Sequence, residues 1–181
     1  PEILEFSSKL SSARLKLINM HSEILNGKNK TLDIGAGNAS FGTALKIINN
    51  ENIYDAVEPD AKVRSKYGEM VNRKYSKIAD VEEQSYDLVV LNQVLEHLPS
   101  PVEFLQSICV LLKEQGVLYI DVPFKDYIFK PSLEPHILFW SPKSMTFLIE
   151  KMGLKLIFCD TAGMPHEQAK QFFHQIFFCN I

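Results

Sequence analysis

Short apolar runs alternate with longer segments of helical periodicity through most of this chain. Four strand-like runs are each followed by a segment whose apolar residues recur three or four positions apart. The four pairs are TLDIG with ASFGTALKIINN, IYDAVE with PDAKVRSKYGEMVNRK, YDLVVL with PVEFLQSICVLLKE, and GVLYIDVP with SPKSMTFLIEKMG. This alternation predicts strand–helix–strand units and therefore an α/β fold with a doubly wound, mostly parallel sheet.

The two ends of the chain follow different patterns. Between Phe6 and Leu25, apolar residues recur at roughly helical spacing among Ser, Lys and Arg, which predicts an amphipathic helix ahead of the first strand. Near the other end, LKLIFCD and QFFHQIFFCNI are apolar runs separated only by TAGMPHEQAK. Two apolar runs without a helix between them predict an antiparallel C-terminal hairpin at the edge of the sheet.

Composition and charge narrow the range of partners. The 181 residues are 46% apolar, which suits one globular domain with one core, and they carry a formal net charge of −3. This charge offers no basic surface to phosphates, so we expect no nucleic-acid partner. No run approaches the ~18 apolar residues of a membrane span, and the first residues lack a signal-peptide pattern, so we expect no membrane partner.

Cysteine usage indicates a reducing compartment. Cys109, Cys159 and Cys179 are far apart in the sequence and lie among aliphatic or aromatic residues. We interpret them as buried reduced thiols and expect a cytoplasmic protein. The chain begins with Pro rather than Met, which suits one domain of a longer multidomain chain.

A glycine turn follows the first predicted strand. Gly35 and Gly37 come after the apolar run TLDI, where small residues let a ligand approach the backbone and the next helix begins with free N–H groups. Glu58 ends the second predicted strand, 21 positions after Gly37. In nucleotide-binding sheets an acid at about this distance accepts hydrogen bonds from ribose hydroxyls. The turn and the acid together predict a nucleoside-containing cofactor at the carboxyl end of the sheet.

The residues of the turn distinguish between two cofactors. A dinucleotide fingerprint has a third glycine that lets a pyrophosphate rest on the helix N-terminus, and Ser40 occupies that position here. Asp33 adds a negative charge that disfavours a pyrophosphate and favours a cation. S-adenosylmethionine has a ribose, an adenine, two cationic groups and no phosphate, so it suits the turn better. An NAD-dependent reductase stays an alternative, because it would explain the glycines and Glu58.

Several segments resemble class I S-adenosylmethionine-dependent methyltransferases. LDIGAGNASFG is similar to their first motif and AVEPD to their second. YDLVVLNQVLEHLPSPVEFLQSICVLLKEQGVLYIDVP is similar to the fourth-strand, helix and fifth-strand segment of a small-molecule subgroup that includes ubiquinone-pathway and sugar O-methyltransferases. PHILFWSPKSMTFLIEKMGLKLI resembles that subgroup's later segment. The resemblance implies a Rossmann-like fold with seven strands, S-adenosylmethionine as cofactor, and methyl transfer to a small-molecule acceptor, an oxygen of a sugar or related metabolite. Ala39 departs from the pattern where a third glycine is common, and we expect it to crowd the methionine end and weaken cofactor affinity.

The resemblance also implies a set of cofactor-binding residues. The residues of the first motif would hold the methionine part, and those of the second motif would hold the ribose. Ala79 and Asp80 would contact the adenine edge, and Asn92 and Gln93, which end the fourth strand, would border the methyl group. The set is Asp33, Gly35, Ala36, Gly37, Glu58, Pro59, Ala79, Asp80, Asn92 and Gln93. Within a single domain, 1–181, we expect an N-terminal helix (1–27), a cofactor-binding core (28–122), an acceptor-side loop (123–141) and a C-terminal helix and hairpin (142–181).

Two histidines are candidates for the chemistry. Methyl transfer is an in-line displacement, so alignment of the acceptor contributes most, and a histidine base assists a hydroxyl acceptor. His97 follows the fourth strand and His136 lies in the loop after the fifth, both on the carboxyl side of the sheet. Structural roles, in a turn and in anchoring the loop, stay open for both. Tyr127, Phe129 and Trp140 are expected to wall the acceptor pocket.

Two further expectations concern metal and catalysis. The His, Cys and acidic residues show no spacing typical of a metal site, so we expect no metal. The leading alternative to an enzyme is a non-catalytic S-adenosylmethionine-binding module of a larger protein.

Overall fold

The computed structural model describes residues 2–124, 135–164 and 172–180, and in these residues helices and strands alternate as predicted. The helices are α1 (Glu2–His21), α2 (Ser40–Ile48), α3 (Ala61–Arg64), α4 (Pro101–Cys109) and α5 (Pro142–Lys151). The strands are β1 (Lys30–Ile34), β2 (Ile53–Val57), β3 (Lys74–Tyr75), β4 (Tyr86–Asn92), β5 (Leu112–Pro123), β6 (Lys155–Met164) and β7 (Phe172–Asn180). Short 3₁₀ turns cover Ile78–Asp80 and Leu95–His97.

The strands form one seven-stranded sheet in the order β3-β2-β1-β4-β5-β7-β6. The neighbouring pairs among β1 to β5 are parallel, whereas β7 runs antiparallel to both β5 and β6. The doubly wound sheet and its antiparallel C-terminal hairpin are therefore confirmed. The last strand inserts between β5 and β6, so that β6 forms the edge.

Both faces of the central strands are buried, which explains their nearly continuous apolar runs. Along β4, Val89 and Leu91 pack in a core cluster with residues of α4 and α5. The alternate residues Leu88 and Val90 pack in a second cluster on the opposite face, with residues of α1 and α2. The chain thus covers the sheet with helices on both sides, as the alternation of strands and helices predicts.

The sheet reverses its strand order between β1 and β4. From β1 the chain proceeds outward to β2 and β3, and after β3 it returns to β4 on the other side of β1. In open α/β sheets the carboxyl ends of the strands at such a switch point border a crevice that binds ligands. The glycine turn after β1 and the turn after β4 both lie at this crevice.

The long helix predicted after β2 is wrong, because only Ala61–Arg64 is helical. From Asn72 onward the chain already runs beside β2, where the Asn72 N–H donates to the carbonyl of Tyr54 at 2.8 Å. Between the two, Tyr67 is buried and its hydroxyl donates to the carbonyl of Gly37 at 2.7 Å. These tertiary contacts outweigh the local helical pattern.

The N-terminal helix ends earlier than predicted, at His21 rather than near Leu25. Its buried face is formed by Ser11, Arg14, Leu15 and Ile18. No helix among the described residues is long and apolar enough to cross a membrane.

The three thiols are free, as expected, but only Cys179 is fully buried. Cys109 and Cys159 are half-buried. Burial raises the pKa of all three above the ordinary value, which keeps these thiols protonated and poorly nucleophilic at neutral pH.

Candidate active site

The glycine turn has the left-handed backbone that favours glycine. Gly35 has a φ of 72° and Gly37 a φ of 53°. The N–H groups of Gly35 and Ala36 donate to the carbonyl of Val57 at 2.8 and 3.2 Å, which ties the turn to the end of β2. A Cβ at Gly35 would lie only 2.8 Å from Cγ2 of Val94, so a larger residue would push against the turn after β4.

The structure places Glu58 directly at this turn. Its Oε2 accepts a hydrogen bond from the Gly37 N–H at 3.0 Å, and its Oε1 accepts one from the Asp60 N–H at 2.9 Å. The exposed Pro59 sets the chain direction between them. A carboxylate has about four acceptor sites, so each oxygen can accept another hydrogen bond. Glu58 can therefore also accept hydrogen bonds from ribose hydroxyls. This ribose-binding role stays a prediction.

A cavity of about 140 Å³ opens beside the turn at the switch point. Its walls come from α1, the end of β1, the glycine turn, the start of α2 and the end of β4. The lining residues are Ser11, Arg14, Asp33, Gly35, Ala36, Gly37, Asn38, Ser40, Phe41 and Asn92.

Asp33 is the main acidic group of the cavity and is 1% exposed. Its Oδ2 accepts a hydrogen bond from the Tyr54 hydroxyl at 2.8 Å, whereas its Oδ1 is buried without a hydrogen bond from the described residues. Burial raises the pKa of Asp33 to about 7, against the lowering effects of the Tyr54 hydrogen bond and the Arg14 charge. The free protein therefore holds a carboxyl group that ionises near neutral pH and gains from a nearby cation.

Arg14 is a site residue that we did not predict from the sequence. It reaches from α1 to the end of β5, where its Nε donates to Oδ2 of the fully buried Asp121 at 2.5 Å. Its Nη2 is buried and has no hydrogen bond among the described residues. Its position in the sequence was the available signal, because Arg14 lies four residues before the buried Ile18 and so shares its helix face.

Unpaired polar atoms around the cavity fit the amino-acid end of S-adenosylmethionine. They are Nη2 of Arg14, Oδ1 of Asp33 and Oδ1 of Asn92, all buried and without partners among the described residues. An arginine donor suits a carboxylate, and two oxygen acceptors suit an ammonium group. Unsatisfied buried polar groups are destabilising, and a ligand that carries both charges would satisfy these atoms.

Ala39 is buried in the core cluster that contains Leu15 and Phe41, and it is not among the residues that line the cavity. Its φ of 56° lies in the left-handed region, which costs an alanine roughly 1–2 kcal/mol. The departure from glycine thus strains the backbone ahead of α2, and no crowding of the cavity by the methyl group is seen.

We expect Ala39→Gly to change the affinity for S-adenosylhomocysteine less than twofold. The substitution relieves backbone strain, which raises the free energy of unfolding. It also removes a buried methyl group, which lowers the free energy of unfolding by about 0.8 kcal/mol. Calorimetric titration together with a melting curve measures both quantities. A severalfold gain in affinity would instead support the sequence-based expectation that Ala39 crowds the cofactor.

The remaining predicted cofactor residues lie outside the cavity. Ala79 and Asp80 are exposed on the 3₁₀ turn after β3, and the Asp80 carboxylate is 3.5 Å from Nζ of Lys77. Gln93 is not among the residues that line the cavity, and its Nε2 donates to Oδ1 of Asp121 at 2.8 Å. The adenine role of Ala79 and Asp80 and the role of Gln93 beside the methyl group stay predictions.

The two predicted catalytic histidines meet beside a buried carboxylate. The rings of His97 and His136 are 4.9 Å apart between centroids and nearly perpendicular. Nε2 of His97 lies 3.8 Å from Oε1 of Glu96, which is 1% exposed. The backbone carbonyl of Glu96 accepts from the N–H groups of Ile137 and Leu138 at 2.9 and 3.1 Å, which holds the His136 segment against the turn after β4.

These three residues could also hold a metal ion. One ligand atom from each of Glu96, His97 and His136 lies within 4.8 Å of the others. Sequence spacing does not reveal the cluster, because His136 comes from a different loop than the other two. The expectation of metal independence stays a prediction, and turnover after dialysis against EDTA tests it.

The predicted acceptor walls are only partly within the described residues. Trp140 is half-buried and packs against the main core cluster, and its neighbour Phe139 is 44% exposed. Tyr127 and Phe129 lie outside the described residues, so their role stays a prediction.

Comparison with known proteins identifies the family. The sequence model of a family described as "Methyltransferase domain" matches residues 6–158. A ubiquinone biosynthesis O-methyltransferase of Actinobacillus pleuropneumoniae serotype 7 is 28% identical over 179 residues, 89% of this chain and 76% of that protein. The corresponding protein of Idiomarina loihiensis is 26% identical over 146 residues, 75% of this chain and 60% of that protein.

A solved structure shows the same fold. A methyltransferase from Archaeoglobus fulgidus, described as dependent on S-adenosylmethionine, superposes with a TM-score of 0.71 at 17% identity, over 96% of this chain and 94% of that one. The family match spans β1 to β5 and the glycine turn, Glu58 and the cavity that they form. The chain therefore belongs to the class I S-adenosylmethionine-dependent methyltransferases.

Proposed function

We propose that this protein transfers a methyl group from S-adenosylmethionine to a hydroxyl oxygen of a small molecule. The observation that carries the proposal is the position of the histidine pair. Asn92, the last residue of β4, lines the cavity, and Glu96 and His97, four and five residues further on, meet His136. The candidate cofactor cavity and a candidate base are thus connected by the turn after β4, which supports the proposal.

Different residues of the chain would bind the cofactor and accept the proton. Bound S-adenosylmethionine supplies an electrophilic methyl group on a sulfonium. Arg14 would hold its carboxylate, Asp33 and Asn92 its ammonium, and Glu58 its ribose. Nε2 of His97 lies 3.8 Å from the buried Glu96 carboxylate, and a ring nitrogen of either histidine would accept the proton of an acceptor hydroxyl.

Positioning of the acceptor contributes more to the rate than a general base does. Alignment of two reactants can contribute about 7–11 kcal/mol, whereas a general base contributes about 10²–10⁴-fold in rate. The contacts between Glu96 and the segment 135–140 would therefore align the acceptor as well as position the base.

We expect His136→Ala to lower turnover by about 10²-fold or more while the affinity for S-adenosylhomocysteine stays within twofold. The reason is that His136 lies in the histidine cluster and does not line the cofactor cavity. His21→Ala is the matched control, because His21 stacks on Phe158 at 3.7 Å at the far end of α1. Turnover equal to the parent's would remove His136 from the chemistry.

Two acceptor classes remain open within the proposal. A sugar or related metabolite is the sequence-based expectation, and the relatives named for ubiquinone biosynthesis favour a hydroxylated ring. A panel of hydroxylated sugars and hydroxylated aromatic rings, assayed for S-adenosylhomocysteine release, separates the two. Transfer to neither class, with the cofactor bound, would favour the non-catalytic binding module.

The NAD-dependent reductase is the weaker alternative. Its pyrophosphate would have to lie beside the buried Asp33. Thermal protection by S-adenosylhomocysteine and none by NADH is the result that we expect, and the reverse result would restore the reductase.

A further inference from the structure

Asp121 contacts residues of both the cofactor cavity and the turn after β4. It is fully buried at the carboxyl end of β5, paired in the sheet with Asn92 of β4. Its Oδ2 accepts from Nε of Arg14, and its Oδ1 accepts from Nε2 of Gln93 at 2.8 Å. One carboxylate therefore contacts a residue of the cofactor cavity and a residue of the turn that leads to the histidines.

Asp121 bonds both the main chain and the side chain of Gln93. Its φ of 57° is left-handed, a region that residues other than glycine rarely adopt. The Gln93 N–H donates to the Asp121 carbonyl at 2.8 Å, so main chain and side chain of Asp121 hold the same residue. Strained conformations of this kind persist where the surroundings fix them.

The turn after Gln93 contacts the acceptor-side segment. Three residues beyond Gln93, the Glu96 carbonyl accepts the N–H groups of Ile137 and Leu138. Trp140 follows two residues later and packs against the core beside this segment. Hydrogen bonds thus connect Arg14, Asp121 and Gln93. The backbone then leads from Gln93 to Glu96, whose carbonyl bonds the segment that carries Trp140.

We infer that Asp121 is a positioning residue that couples occupancy of the cofactor cavity to the arrangement of the acceptor-side turn. The inference deepens the proposed function and rests on it. A carboxylate bound at Nη2 of Arg14 restrains the guanidinium, and the Nε contact passes this restraint to Asp121. Asp121 then holds the left-handed Gln93, and with it the turn that bears Glu96 and His97.

The single tryptophan of the chain, Trp140, allows a test without an acceptor. Its indole N–H is buried and lacks a partner among the described residues, so its emission responds to small changes in packing. The emission change is measured at saturating S-adenosylhomocysteine in the parent, Asp121→Asn and Asp55→Asn. Asp55 is the matched control, because it is equally buried, in β2, and accepts from Asn72 and Tyr86 at 2.8 Å.

We expect the parent and Asp55→Asn to show the same emission change and Asp121→Asn to show less than a third of it. Because the ligand is saturating, a weaker affinity in a variant does not affect the comparison. If Asp121→Asn does not fold, Gln93→Ala replaces it, and we expect the same reduction of the emission change. A full emission change in Asp121→Asn, or in Gln93→Ala where the first variant does not fold, would overturn the inference. So would calorimetric binding to the parent without any emission change, an outcome that leaves the proposed function intact. No calorimetric binding to the parent would overturn both.

Discussion

Binding of S-adenosylhomocysteine should tighten roughly tenfold as the pH rises from 6 to 7.5. The cause is Asp33, whose pKa burial raises to about 7, so that at pH 6 most molecules carry a neutral carboxyl group. A neutral Asp33 offers little to the ammonium of the ligand, and binding at low pH must first remove its proton. Calorimetric titrations in buffers of different ionisation enthalpy should detect about one proton released per ligand near pH 6.

The matched control is Asp33→Asn. Its amide oxygen can still accept from the Tyr54 hydroxyl, but it cannot ionise. We expect this variant to bind weakly and with little dependence on pH between 6 and 7.5. If the variant retained the parent's pH slope, another group would be responsible for it.

The same substitution should stabilise the free protein above neutral pH. The pKa of Asp33 is raised from 3.8 to about 7 on folding, so the folded state binds a proton that the unfolded state has lost. The free energy of unfolding therefore decreases by about 1.4 kcal/mol for each pH unit between about pH 4 and 7 and stays low at higher pH. The total decrease is at most about 4 kcal/mol. Melting without ligand at pH 8 should show Asp33→Asn more stable than the parent, with a smaller difference at pH 5.

The sheet and the cofactor turn are the parts that follow most directly from the sequence. Central parallel strands are buried on both faces, so TLDIG and YDLVVL stand out as apolar runs. Gly37 and Glu58 follow the neighbouring parallel strands β1 and β2, whose carboxyl ends necessarily lie at the same edge of the sheet. Local sequence and topology therefore suffice to bring these two residues together.

Other features depend on packing between distant parts of the chain. Arg14 and Asp121 are 107 positions apart, and only the packing of α1 over the switch point makes them partners. The segment after α3 has a helical pattern, yet its pairing with β2 keeps it irregular. The cluster of His97 and His136 likewise depends on a loop that folds back to Glu96. No local periodicity carries this information.

Arg14→Met should both destabilise the protein and abolish tight cofactor binding. The substitution breaks the buried ion pair between Arg14 and Asp121, which costs about 3–5 kcal/mol in stability. It also removes the one cationic side chain among the residues that line the cavity, and a hydrogen bond to a charged group contributes about 1.5–3 kcal/mol, or about 10–100-fold in affinity. Melting curves and calorimetric titration of S-adenosylhomocysteine measure the two effects.

The double variant Arg14→Met with Asp121→Asn separates the two effects. Asn at position 121 carries no charge that needs Arg14, and its oxygen can still accept from Nε2 of Gln93. We therefore expect the double variant to regain most of the lost stability while its affinity for S-adenosylhomocysteine stays 10–100-fold below the parent's. Recovery of affinity together with stability would mean that Arg14 only supports the fold, and that another donor holds the carboxylate of the cofactor.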